Sequence, residues 1–145
     1  LELAERMGAD LLLNAEKDNI PRSILDRTEG RGVDGMLEMS GHPQAFRDGF
    51  DALANGGRVS LLGIPSAPLE IDVAKEIIFR GVTVQGINGR LIFDTWYRME
   101  ALLLSGKLDI RPVITHVLGW SEFEKAVELQ RSGKAGKIVL RRDHA

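Results

Sequence analysis

The chain has 145 residues, 43% hydrophobic and 28% charged, a balance that suits a soluble globular protein with a real core. A formal net charge of −2, with Lys and Arg spread along the sequence, argues against nucleic acid or an anionic membrane surface as partner. Cysteine is absent, which excludes disulfides and thiolate metal sites within these residues and fits a reducing cytoplasm.

No apolar run approaches the ~18 residues of a membrane span, and no cationic-then-apolar leader points to export. Leu1 already lies inside an amphipathic pattern, so the chain is expected to be a piece of a longer protein. Residues 1–8 read as a helix end, with Leu3, Ala4 and Met7 on one face and Gly8 as its stop. Leu11, Leu12 and Leu13 read as a short buried strand. Asn19 is placed to cap a helix that tolerates Pro21 in its first turn and is closed by Gly30 and Gly32. Residues 33–39 read as a second strand.

Gly41-His42-Pro43 turns into a helix with Phe46, Phe50 and Leu53 at i, i+4, i+7, ended by Asn55-Gly56-Gly57. A third strand is expected over residues 58–62, a helix over 73–79 and a fourth strand over 82–85. Strand and helix in alternation signify a parallel α/β sheet. The rhythm then changes. Trp96, Met99, Leu102 and Leu103 form one stripe of a helix that stops at Gly106, with Trp96 and Tyr97 most simply its buried seam. Residues 112–116 are strand-like, Ser121 to Glu124 reads as a capping box, and Phe123, Ala126, Val127 and Gln130 share a helix face ended by Gly133. Residues 137–140 read as a final strand. A boundary is placed between residues 89 and 90.

In open parallel sheets, ligands sit beyond the carboxyl ends of the strands. Three ends carry suitable loops here: Ser40-Gly41, Leu62-Gly63-Ile64 and Gly86-Ile87-Asn88-Gly89. Glycine at such a point admits close backbone approach to a ring or ribose, or merely makes a tight turn, and spacing alone leaves both readings open. The phosphate-binding fingerprint G-x-G-x-x-G and an acidic residue to hold a ribose are both missing. His42, His116 and His144 have no second ligand at metal-binding spacing and read as ordinary polar residues. Glu38, inside an apolar strand, reads as a carboxylate held by structural hydrogen bonds, with catalysis the less favoured use. Arg90 is open to pairing with a phosphate or carboxylate, or to simple solvation. No catalytic group and no metal ligand is assigned.

Several runs together resemble the medium-chain dehydrogenase/reductase superfamily of zinc-containing alcohol dehydrogenases, and within it the L-threonine 3-dehydrogenase family. They are Val33-Asp34 through Leu37-Glu38-Met39-Ser40-Gly41, Gly56-Gly57-Arg58-Val59-Ser60-Leu61-Leu62-Gly63-Ile64, Gly86-Ile87-Asn88-Gly89-Arg90, Phe93-Asp94-Thr95-Trp96-Tyr97, Pro112-Val113-Ile114-Thr115-His116, and Arg131-Ser132-Gly133 to Gly136-Lys137. The stretch from Gly89 to Tyr97 points most specifically to the threonine enzymes. The resemblance implies a partial doubly wound parallel (Rossmann) sheet that lacks its first two strands, over residues 1–89. Residues 90–145 would then be the C-terminal part of the catalytic, GroES-like lobe. It implies NAD as cofactor, lying on Leu62, Gly63, Ile64, Ile87 and Asn88, although other members often carry a bulkier or hydroxyl residue at the position of Asn88. It implies zinc held by ligands upstream of this chain, L-threonine as substrate, a cytoplasmic location and a homo-oligomer, expected to be a tetramer. The 145 residues alone are expected to be inactive, and to be unstable or partnered, because the missing strands leave sheet edges and an apolar seam uncovered. The rival readings are another medium-chain polyol or alcohol dehydrogenase, a zinc-free reductase, and a non-catalytic nucleotide-binding or dimerisation module.

Overall fold

A computed structural model describes residues 1–142; His144 lies outside the described residues. The chain divides into two compact units, one formed by Leu13–Arg90 and the other by Leu1–Leu12 with the residues from Leu91 onward. The first twelve residues thus group with the C-terminal segment, whereas the sequence places them with the sheet.

The Leu13–Arg90 unit is an α/β layer. Helix α2 (Ile20–Arg27) begins where the Asn19 side chain accepts a hydrogen bond from the Arg22 N–H at 3.0 Å. Strand β1 (Val33–Glu38) leads to α3 (Pro43–Ala52) and then directly to β2 (Leu53–Leu61). A single π-wound segment (Val73–Ile78) precedes β3 (Thr83–Gly86). The sheet order is β1-β2-β3, all parallel. The core lies where α3 crosses this sheet. Phe46 and Phe50 stack at 4.7 Å and bury with Leu53, Val59 and Val82. Each such side chain contributes about 1.5–3 kcal/mol by leaving water. Helix α3 ends on Arg80, whose guanidinium donates to the carbonyls of Phe50, at 2.9 Å, and of Leu53.

Four sequence expectations are corrected over residues 11–90. Residues 11–13 form no strand. In the doubly wound order 3-2-1-4-5-6 this segment would pair only with strand 2, and the described residues hold no strand beside it. The strand expected at residue 58 starts at Leu53, because Asn55-Gly56-Gly57 makes a bulge rather than a helix stop. The register jumps there from Val33 opposite Leu53 to Gly35 opposite Arg58. The helix expected over residues 73–79 is π-wound and ends at Ile78. The last strand lies one residue later than its spacing suggests.

The second unit holds α1 (Glu2–Arg6), α4 (Asp94–Leu104), β4 (Ile114–Gly119), α5 (Phe123–Arg131) and β5 (Lys137–Arg141). Strands β4 and β5 pair in parallel. A 3₁₀ turn over Arg111–Val113 occupies the start of the strand expected at residue 112. The capping-box expectation is also corrected: α5 starts at Phe123 after a 3₁₀ turn, and Glu122 rather than Glu124 reaches back, accepting from the Gly119 N–H at 3.0 Å. Trp96 and Tyr97 are not a buried seam; they are 57% and 67% exposed. An apolar stripe buries only against a facing element, and no described residue of α4 is buried. Among the described residues no helix is long and apolar enough to cross a membrane.

Candidate cofactor-binding site

Because β1, β2 and β3 run parallel, their carboxyl ends fall on one edge of the sheet, with Glu38 opposite Leu61 and Leu61 opposite Gly86. Pairing continues into the loops. The Leu62 and Gly63 N–H groups both donate to the Glu38 carbonyl, at 2.9 and 3.1 Å, and the Ile87 N–H donates to the Leu61 carbonyl at 2.8 Å. Residues 62–64 and 87–88 therefore leave the sheet side by side. Their side chains are open: Leu62 is 40%, Ile64 90% and Ile87 42% exposed, and Asn88 is exposed as well.

The third loop, residues 40–41, is locked against the second. Gly41 has φ +69°, and a Cβ there would meet the Ile64 carbonyl oxygen at 2.5 Å. A Cβ on Gly63 would in turn strike the Gly41 backbone and the Glu38 Oε2. Only glycine fits either place without moving backbone. Glu38 anchors the arrangement. Only 5% exposed, it accepts at Oε1 from the Ser40 N–H (2.9 Å), the Ser40 Oγ–H (2.6 Å) and the Gly41 N–H (2.9 Å). Burial pushes its pKa up, but the hydrogen bonds from Ser40 and Gly41 outweigh it and hold the carboxyl below its ordinary value. Glu38 is thus an ionised structural post, as its place in an apolar strand suggested. The extent of its role was missed; the signal was the Ser-Gly pair immediately beyond the strand, which supplies short-range donors.

The other candidates lie apart from this edge or serve local structure. His42 caps α3, its Nδ1 accepting from the Gln44 N–H at 3.2 Å. His116 lies in β4, with Nδ1 2.9 Å from the Thr115 Oγ1. Arg90 is exposed. Among the described residues no three His, Cys, Asp or Glu side chains converge on a point. Residues 62–64 and 87–88 fit one wall of a site for a flat ring. Two adjacent strand ends carry exposed apolar side chains, and a glycine between them brings the backbone close to the surface.

Residues 1–105 match the family model described as zinc-binding dehydrogenase. The chain is similar to the L-threonine 3-dehydrogenases of Bacillus licheniformis, at 47% identity over 140 residues, and of Pyrococcus furiosus, at 46% over 139. These alignments cover 97% and 95% of the chain but only 40% of each relative, so the chain spans two fifths of the length of the proteins it matches. Among solved structures it is similar to an alcohol dehydrogenase from Thermotoga maritima, with 31% identity and a TM-score of 0.83 over 98% of this chain and 40% of that one. An alcohol dehydrogenase from Thermus sp. ATN1 superposes with a TM-score of 0.88 at 28% identity, over 99% and 42% of the two chains. The match over residues 1–105, together with the parallel sheet and its open carboxyl edge, establishes that the chain belongs to the zinc-binding dehydrogenase family.

Proposed function

We propose that these residues form the C-terminal part of a cytoplasmic, NAD-linked L-threonine 3-dehydrogenase that works as a homo-oligomer, a tetramer by preference. The whole protein would oxidise the C3 hydroxyl of L-threonine to give 2-amino-3-oxobutanoate. Bound NAD would supply the hydride acceptor. The contribution of this chain is positional: Leu62, Gly63 and Ile64, with Ile87 and Asn88, would hold one face of the nicotinamide and its ribose. The observation that carries the cofactor assignment is the hydrogen bond from the Ile87 N–H to the Leu61 carbonyl, which sets the two segments next to each other at the carboxyl edge. Identity of 47% to a protein named L-threonine 3-dehydrogenase supports the substrate. The zinc that would polarise the substrate hydroxyl belongs, in this reading, to residues outside this chain.

The test is NADH formation by the full-length protein offered L-threonine, 2,3-butanediol or simple primary alcohols in turn. The proposal expects kcat/KM to be highest for L-threonine by at least about tenfold, a margin worth roughly 1.4 kcal/mol of transition-state binding. A preference for a diol or a primary alcohol would reassign the protein within its family.

A further inference from the structure

We infer that Glu38 is a positioning residue for the cofactor wall, fixing the height at which Gly63 meets a bound nicotinamide; the inference rests on the cofactor reading above. Glu38 is the one buried charged or polar residue among the described residues. A buried carboxylate is costly unless its lone pairs are taken up. This one directs its hydrogen bonds entirely to the candidate site's own strand ends. Its side chain gathers the Ser40 and Gly41 donors, while its backbone carbonyl receives Leu62 and Gly63. The two functions are joined sterically, since Oε2 stands where a Cβ on Gly63 would have to go. Through its hydrogen bonds the carboxylate holds the 40–41 loop in contact with Gly63, and Oε2 lines that contact. Removing the side chain frees the Ser40 and Gly41 donors and opens space beside Gly63, while the Glu38 backbone carbonyl still receives Leu62 and Gly63. A role confined to stability needs one satisfied carboxylate; it does not need that carboxylate wedged against the glycine beneath the ring.

The experiment compares wild type, Glu38→Ala, Glu38→Gln and, as a control in the core away from the carboxyl edge, Val82→Ala, all in the full-length protein. NADH affinity is read by fluorescence titration, KM for NAD and for L-threonine by steady-state kinetics, and Tm by thermal unfolding. Contacts to a bound group depend on placement at the scale of about 1 Å, so Glu38→Ala is expected to weaken NADH binding and raise KM for NAD about tenfold. KM for L-threonine should stay within about twofold, as the support lies under the cofactor alone. Glu38→Gln keeps one acceptor oxygen but turns an amide toward the Gly41 N–H, and should fall between, at about threefold. Val82→Ala should lower Tm and leave NADH affinity unchanged. A lowered Tm with wild-type NADH affinity in Glu38→Ala would overturn the inference. If that variant does not fold, wild-type NADH affinity in Glu38→Gln would do the same. Failure of wild type to bind NADH at all would instead sink the cofactor reading on which the inference rests. NADH binding without threonine oxidation would leave this inference standing and reject only the substrate.

Discussion

The segments β1-α3-β2 and β4-α5-β5 have the same plan, two parallel strands joined by a helix, yet their interiors differ. Helix α3 buries Phe46, Phe50 and Ala52, whereas α5 buries only Ala126. The difference is sheet width and side-chain size. The chain leading into a third strand, β3, adds Val82 to the core, with Leu69, Ile71 and Ile77 packed against it. The β4–β5 pair has no third strand among the described residues, and Trp120 and Phe123, 6.2 Å apart, stay open to water. Two strands and a short helix cannot surround an aromatic side chain. The same topology therefore makes a buried aromatic core in one region and leaves aromatic side chains exposed in the other.

The largest expected effect that would break this contrast is at Phe50. Phe50→Ala should cost about 3–5 kcal/mol, read as faster native-state hydrogen exchange of the β2 amides; a cost below about 1 kcal/mol would mean the sheet unit is as loosely filled as its counterpart. Glu38→Ala comes next, at roughly 1–3 kcal/mol, because the part-buried donors of Ser40 and Gly41 lose the acceptor they share. Its pH dependence has a definite sign. The folded carboxyl titrates below its ordinary value of 4.5, so its stabilisation is complete above pH 4.5 and disappears as pH falls through the lower folded value. The stability gap between wild type and Glu38→Gln should accordingly narrow on acidification, and a gap that widens would refute an ionised Glu38.

Asn19→Ala removes the α2 cap and should cost about 1 kcal/mol, seen as increased exchange in the first turn of that helix. The smallest effect belongs to the second unit. Arg98 pairs with Asp94 at 3.1 Å across α4 with both side chains largely exposed, so Arg98→Ala should change α4 exchange by no more than about 0.5 kcal/mol. A larger loss would show that this helix is supported more firmly than its exposure indicates.

What could be read in advance follows the range of the interactions. Asn19, Pro21, Phe46 and Phe50 act within one or two helical turns, and the helices they mark stand where their spacing puts them. Leu11 to Leu13 has strand chemistry, but strandness needs a hydrogen-bonding neighbour that these residues do not provide. Asn55-Gly56-Gly57 has the composition of a turn, and only pairing with β1 reveals it as a bulge. Trp96 and Tyr97 lie on a proper amphipathic stripe, yet a stripe does not specify what covers it. At the candidate site, the neighbourhood of residues 62–64 and 87–88 follows from parallel order alone. The interlock of Gly41 with Ile64, and of Gly63 with Glu38, depends on contacts between separate strand ends and leaves no local trace.

The central claim is that a nicotinamide rests on the carboxyl ends of β2 and β3, and a crystal structure of the full-length protein with NADH tests it most directly. The ring should lie in van der Waals contact with residues 62–64 and with Ile87 or Asn88, with Gly63 still seated on Glu38. A ring bound elsewhere, with both segments facing solvent or covered by protein side chains, would contradict it.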